Sequence, residues 1–444
     1  MRRLLTILAI LVLALSAAAQ ASERFALPQF KGGYTPPAPT TPAPRTDVWQ
    51  YIDVAALAAA LAAASYLAIR VRSRRALWVL MAASLAYFGF WRGGCVCSIG
   101  AIQNVALGLS DSGYAVPLSV IAFFLLPLVT ALFVGRTFCA AVCPLGAIQD
   151  MVSVKPLSVP APLEHALGLV PYVYLGAGVL FAATGAAFII CEYDPFVSIF
   201  RLLPLGRPAA TMDAVGGSTT MLLVGAAFLL VGLFIGRPYC RWLCPYGAIL
   251  KLLSRASKWR VTITPEECIR CRLCENACPF GAIRRPTTDE PRPDRLIDRR
   301  RLVLLLVLVP ALLAGGGALG WLAGPALSRM HFTVRVAERV RLEETGQAQG
   351  TVDMSDAFYG TRRPREELYA EARTVQARFG WGGAALGVWV GLVIGIKLVH
   401  LSVRRTRTDF EPDRATCVSC GRCFAYCPIE RKRLKECRKA EPRT

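Results

Sequence analysis

The sequence predicts an all-α polytopic membrane protein, with about seven transmembrane helices after a signal peptide and a small α+β domain on the cytoplasmic side. Three observations predict it. Of 444 residues, 54% are hydrophobic and only 18% charged, far from average globular usage. Apolar runs that approach or reach the roughly 17–25 residues needed to cross a bilayer recur at 51–69, 77–91, 117–134, 169–190, 218–235, 302–324 and 381–402, the second of them short. The 16 cysteines cluster beside these runs and in two polar segments.

Taken in order, "LLTILAILVLALSAAAQA" after Arg2 and Arg3 has the basic start, apolar core and small-residue end of a signal peptide, residues 1–21, with cleavage near Ala19 or Ala21. An uncleaved anchor is the other reading. Both place the Pro-rich segment 22–49 outside. Residues 50–260 then read as a transmembrane core, 261–301 as a first cysteine-rich segment, and 302–402 as a transmembrane hairpin with an outer loop, 325–380. A second cysteine-rich segment and a basic tail complete the chain at 403–444.

The net charge of +21 raises nucleic-acid binding, but its distribution excludes it. Inside segments carry "RVRSRR", Arg136, Arg237, Lys251, Arg255, Lys258, Arg260, Arg299 to Arg301 and "RRTR", whereas the outer loop 325–380 is close to neutral. That asymmetry is the positive-inside rule. The same topology puts 13 of the 16 cysteines on the cytoplasmic side, where disulfides do not persist and thiolate ligation is the better reading.

"CIRCRLCENACP" and "CVSCGRCFAYCP" place Cys268, Cys271, Cys274 and Cys278, then Cys417, Cys420, Cys423 and Cys427, at the C-x2-C-x2-C-x3-C-P spacing of bacterial ferredoxins. Two [4Fe-4S] clusters are expected, in a ferredoxin-like domain. In that motif the fourth cysteine commonly serves the neighbouring cluster, so Cys427 is expected with the first three and Cys278 with the second three. The alternative is that each motif closes its own cluster. A zinc site would present cysteine pairs across a longer spacer. Cys437 reads as a bystander.

"GRTFCAAVCPLGAIQDMVS" at 135–153 is echoed by "GRPYCRWLCPYGAILKLLS" at 236–254, an internal repeat behind two apolar runs. Cys139 with Cys143, and Cys240 with Cys244, would each share a helix face. Together they supply four thiolates for a third cluster or another soft metal between two helices. Packing as small apolar residues is the bland alternative. Arg136 and Arg237 read as interfacial anchors of the helix ends.

Cys95 and Cys97 ("GGCVCSIGAI") and Cys191 ("IICEYDPF") are expected near the outer face, as a disulfide or as a metal site passing electrons outward, with Glu192 and Asp194 as neighbours. No C-x-x-C-H is present, so covalent c-type haem is excluded. His165 and His400 fall near the inner face, where a haem between them is a minor reading. No P-loop or G-x-G-x-x-G unit appears.

With these motifs the chain resembles the NosR/NapH family of membrane polyferredoxins, which includes the RdhC-like proteins, over roughly residues 50–285. The resemblance rests on the paired GR-x-x-C-x3-C-P motifs and the ferredoxin segment that follows. It implies an integral protein of the bacterial cytoplasmic membrane that passes electrons between a quinone or cytoplasmic side and a periplasmic reductase or flavoprotein, or that supports the reductase's maturation. There are two departures: no periplasmic flavin-binding domain stands before the core, and the second ferredoxin motif lies beyond an extra hairpin. The rival is a metal-handling factor similar to the cupric reductase CcoG, with copper on the half-motif thiolates.

Overall fold

The computed structural model describes residues 47–94, 98–154, 157, 159–202, 219–263, 268–287, 295–403, 407 and 409–433. The signal peptide, most of the Pro-rich segment, Cys95, Cys97 and Cys437 lie outside them. The described chain is a helical membrane protein. Four helical stretches are long and apolar enough to cross a bilayer: Val48–Val71, Ala161–Ala183, Arg299–Ser328 and Arg365–Ser402. Leu118–Val134 and Thr220–Phe234 are shorter apolar helices. The run at 77–91 is a helix from Arg74 that passes into π-helical turns at Leu85–Trp91.

Two local features organise the inner end. The first helix closes at Arg72, whose φ of 51° reverses the chain, and Arg72 then pairs with the buried Glu430 at 2.6 Å. Behind Leu118–Val134, the first repeat continues as two short helices, Thr137–Ala141 and Pro144–Val152; behind Thr219–Phe234, the second gives Pro238–Trp242 and Pro245–Leu253. In each repeat the second short helix opens with proline, tolerated there because the first-turn N–H needs no partner.

The sequence reading missed helix Ser98–Ser110, because its 13 residues follow an ambiguous Gly-Cys stretch and are too few for a span. It is nonetheless buried along its first half, from Ser98 to Asn104. The chain folds back against the bundle twice: here, and at Ile189–Glu192 and Pro195–Leu202. The Ser98 hydroxyl reaches the Tyr246 hydroxyl, the Tyr174 hydroxyl donates to Ile189 O, and the Phe196 ring meets Tyr239 at 5.2 Å.

The hairpin is a glycine seam. Arg295–Ser328 and Arg365–Ser402 pack backbone to backbone, with Gly316, Gly320 and Gly324 facing Gly387, Gly383 and Gly380 at spacings of three or four residues. Small residues let membrane helices approach where no hydrophobic effect drives them together. Arg365–Ser402 runs 38 residues, so the polar segment expected in the outer loop is continuous with the span. Helices Phe332–Glu344 and Asp353–Gly360 cap it with a small core around Val336 and Val340.

The hairpin returns the chain to the end from which it left, where Ile283–Arg284 and Glu411–Pro412 pair as a two-stranded antiparallel sheet, Ile283 opposite Pro412 and Arg284 opposite Glu411. This joins two segments more than a hundred residues apart into one small α+β unit.

Candidate metal centres

The two full motifs wrap their thiols by loop geometry. Tight turns need left-handed backbone, and Arg270, Arg272, Ser419 and Gly421 have φ of 53°, 60°, 57° and 76°. A short helix, Leu273–Asn276 or Arg422–Tyr426, then carries the fourth cysteine away from its own loop. Cys427 lines a cavity with Cys268, Cys271 and Cys274; Cys278 lines another with Cys417, Cys420 and Cys423. The charge couplings group the same way: Cys274 lies within electrostatic reach of Cys427, Cys268 and Cys271, and Cys423 of Cys417, Cys420 and Cys278. Backbone N–H groups of Ala282 and Ser419 donate to Cys278 Sγ at 3.3 Å and Cys417 Sγ at 3.4 Å. Cys268 and Cys271 are exposed, whereas Cys278, Cys417 and Cys420 are half-buried and Cys423 is buried.

The two half motifs meet. Cys143 lies within electrostatic reach of Cys240, Cys139 and Cys244. Each arginine crosses to the opposite repeat: Arg237 donates to Cys139 O and, at 3.3 Å, to Ala140 O, and its guanidinium sits where a Cβ on Gly146 would be 3.2 Å away. Arg136 faces Gly247 in the same manner and donates to Cys139 Sγ at 3.7 Å. Arg136 and Arg237 are 3% and 1% exposed, which corrects the expectation of interfacial anchors. Arg237 is buried with its charge used between the repeats, on Asp150 and Ala140 O, and Arg136 with its donors on Cys139 Sγ and Ala415 O.

The repeat is not symmetric in chemistry. Gln149 accepts from Tyr239 N at 3.1 Å and donates to Cys240 Sγ at 3.4 Å; its counterpart in the second repeat is Leu250. Asp150, whose counterpart is Lys251, pairs with Arg74 at 2.7 Å, Arg422 at 3.1 Å and Arg237 at 3.4 Å. Burial alone would raise its carboxyl, but Arg237, Arg422 and Arg74 hold it well below the usual carboxylate range. Arg74 also donates to Cys420 O at 3.1 Å and Arg136 to Ala415 O at 3.4 Å. The second ferredoxin segment is thereby bolted to the half-motif site, with Arg237 within electrostatic reach of Cys240, Cys420 and Cys139.

The donor sets fit iron-sulfur chemistry. Burial, together with neighbouring thiols, pushes the Cys240 and Cys274 thiols up to about 11 and Cys417 up to about 12. Four such groups ionise together only around a cationic centre, whose binding releases their protons. Among the described residues no three His, Cys, Asp or Glu side chains are placed to hold a single metal ion. The thiols of the two ferredoxin motifs line cavities.

Cys191, expected near the outer face, lies in the short helix Ile189–Glu192. It is exposed itself, yet its backbone N–H donates to the buried Gln103 Oε1 at 3.1 Å and its Sγ would be 2.8 Å from a Cβ on Gly100. Asp194 is 4% exposed and accepts from Phe196 N at 2.9 Å. His331 caps helix Phe332–Glu344 by accepting from Thr333 N at 3.2 Å. His165 packs toward Lys397 near the inner end.

Comparison with known proteins places this geometry. A 4Fe-4S binding domain family matches residues 116–159 and 218–264, which hold Cys139, Cys143, Cys240 and Cys244. A second 4Fe-4S binding domain family matches 261–284, holding Cys268 to Cys278. The chain is 33% identical to protein NirI of Paracoccus denitrificans over 163 residues, 34% of this chain and 22% of NirI. It is 28% identical to regulatory protein NosR of Pseudomonas aeruginosa, over 46% of this chain and 29% of NosR. It is 28% identical to the ferredoxin-type protein NapH of Escherichia coli, over 37% of this chain and 55% of NapH. The chain thus spans less than two thirds of each of these relatives. No solved structure matches it. These similarities support a NosR/NapH-like polyferredoxin family and a membrane iron-sulfur electron-transfer role.

Proposed function

We propose that this chain relays single electrons through the bacterial cytoplasmic membrane, between a cytoplasmic or quinone side and a periplasmic reductase or flavoprotein. Two [4Fe-4S] clusters would be held by Cys268, Cys271, Cys274 and Cys427 and by Cys278, Cys417, Cys420 and Cys423. Cys139, Cys143, Cys240 and Cys244 would hold a third. Iron-sulfur clusters supply the one-electron chemistry; the protein sets their burial, spacing and hydrogen bonding. The observation that carries this reading is Arg237, which neighbours Cys139 and Cys240 on one side and Cys420 on the other. It supports a path in which the half-motif thiols adjoin the second ferredoxin site, with the more exposed cysteines of the first site as the point of electron entry, an order suited to relay. Cys191, with Cys95 and Cys97, would stand on the exit side.

Anaerobic purification with iron and sulfide quantification, followed by redox-titrated EPR, tests it. Three cubanes per chain are expected in the wild type. The Cys139→Ser/Cys240→Ser double variant should lose the iron and the signal of one of them. A count of two, unchanged by that variant, would sink the third centre, and copper retained by the half motifs would overturn the relay.

A further inference from the structure

Where the last long helix meets the core, cations gather without the carboxylates that would balance them. The span Ala161–Ala183 packs on Arg365–Ser402 through the Trp389 indole, which donates to Tyr172 O at 2.8 Å. About two helical turns beyond that contact stand His165 and Lys397, within electrostatic reach of each other. Helix Pro245–Leu253 brings Lys251 to the same place, within reach of Lys397 and Glu164. The short sheet brings Arg284, within reach of His165 and Lys397.

Two carboxylates share the place, and both are taken. Glu164 accepts from Arg241 Nε and Trp242 Nε1, each at 2.9 Å. Asp413 pairs with Arg284 at 3.6 Å and accepts from Ala415 N and Thr416 N. Among the described residues Lys251, Lys397 and Arg255 are left without a carboxylate in ion-pair contact, although Lys397 reaches both of the others. One N–H of the Lys251 ammonium goes to Arg241 O at 3.2 Å; Lys397 has no hydrogen-bond acceptor among the described residues. Burial, with Arg136 next, pushes Lys251 down to about 8, the direction expected of a cation short of counter-charge. Like charges held together are unfavourable unless an anion lies among them, so the cluster points to one that binds there.

The surroundings say which kind. Leu163, Leu252 and Ile396, one or two residues from these polar groups in the chain, are 49%, 54% and 49% exposed, on the outside of a bundle that faces lipid. Large apolar side chains beside a cationic cluster suit a ligand with a phosphate at one end and hydrocarbon at the other, and basic pockets between membrane helices bind such headgroups. We infer that Lys251, Lys397 and Arg255, with His165 beside them, hold the phosphate of an anionic phospholipid whose acyl chains lie along those apolar side chains. The lipid ties the hairpin to the core and, through Arg284, to the ferredoxin unit. This site is independent of the electron relay.

The full chain, purified in detergent, stripped of lipid and titrated with dioleoylphosphatidylglycerol, supplies the test, with bound lipid counted by native mass spectrometry. At the usual contribution of a lysine near an anionic headgroup, Lys251→Gln and Lys397→Gln should each weaken binding about fivefold and the double variant about 25-fold. Lys397→Arg keeps the charge and should keep the affinity. Arg373→Gln, about 36 Å from Lys397 along the same helix, should bind as wild type does. Dioleoylphosphatidylcholine, whose own headgroup neutralises its phosphate, should bind at least tenfold more weakly. Unchanged affinity in the double variant or equal binding of the phosphatidylcholine would overturn the inference. Equal weakening in Arg373→Gln would do the same, because the lipid would then be reading total charge alone. Displacement of the lipid by inorganic phosphate at equal concentration would assign the cluster to a free anion and overturn the lipid. None of these readouts involves a cysteine, so failure here leaves the Cys139→Ser/Cys240→Ser test of the relay untouched.

Discussion

Asp150 is where a single substitution should uncouple the ferredoxin unit from the membrane core. Its carboxylate side chain is 2% exposed and pairs with Arg74, Arg422 and Arg237. Arg74 and Arg422 are 19% and 20% exposed and can turn their freed charge toward water. Arg237 is only 2% exposed, so it bears most of the loss. Removing one partner of a buried pair costs about 3–5 kcal/mol, which at about 1.4 kcal/mol per decade weakens docking of residues 409–433 by about two to four orders of magnitude. Asp150→Ala should therefore expose the sites after Arg414 and Arg422 to limited trypsin digestion, while the iron of the two ferredoxin motifs is retained. Reduction of the half-motif centre from the cytoplasmic side should slow in parallel. The pH dependence has a definite sign. A carboxyl held below its ordinary value of about 4 contributes stability that is complete above that value and lost only as pH falls toward the depressed one. Wild-type digestion should therefore stay flat from about pH 8 to about pH 5. A digestion pattern and a transfer rate in Asp150→Ala equal to wild type would refute the docking role.

Three other outcomes follow from particular contacts. Cys427→Ser should erase or alter the EPR signal that also responds to Cys271→Ser, and Cys278→Ser the one that responds to Cys420→Ser; the reverse pairing would show that each motif closes its own cluster. Gly387→Leu should lower the thermal stability of the detergent-solubilised protein by about 1–3 kcal/mol, the usual cost of overpacking, because a side chain there meets the Gly316 backbone; an unchanged midpoint would argue against the seam. Gln149→Leu should leave iron content intact and lower the midpoint potential of the half-motif centre, since Cys240 Sγ loses its 3.4 Å hydrogen bond; an unmoved potential would remove Gln149 from the site.

Much was legible in the chain itself. Spacing alone named the eight ferredoxin cysteines, and the Gly-Arg, Cys-x3-Cys-Pro, Gly-Ala-Ile repeat predicted that Cys139 and Cys143 would face Cys240 and Cys244. Local periodicity and motif spacing record what a segment is. They do not record depth or partner. That Ser98–Ser110 and Pro195–Leu202 fold back against the bundle depends on what packs above and below them, which no local pattern records. That Arg237 and Arg136 are buried depends on acceptors supplied by segments far away in the chain, the opposite repeat for Arg237 and the second ferredoxin segment for Arg136, and an arginine beside an apolar run looks the same in sequence whether it anchors in headgroups or crosses a core. The association of Cys427 with Cys268, and of Asp150 with Arg422, required the glycine seam to bring the chain back to the inner end. The sequence by itself therefore determined the cysteine motifs and the membrane class, because those depend on residue type and spacing. Only the tertiary structure decided which sites adjoin and what bolts them together, because adjacency is a property of packing between segments far apart in the chain.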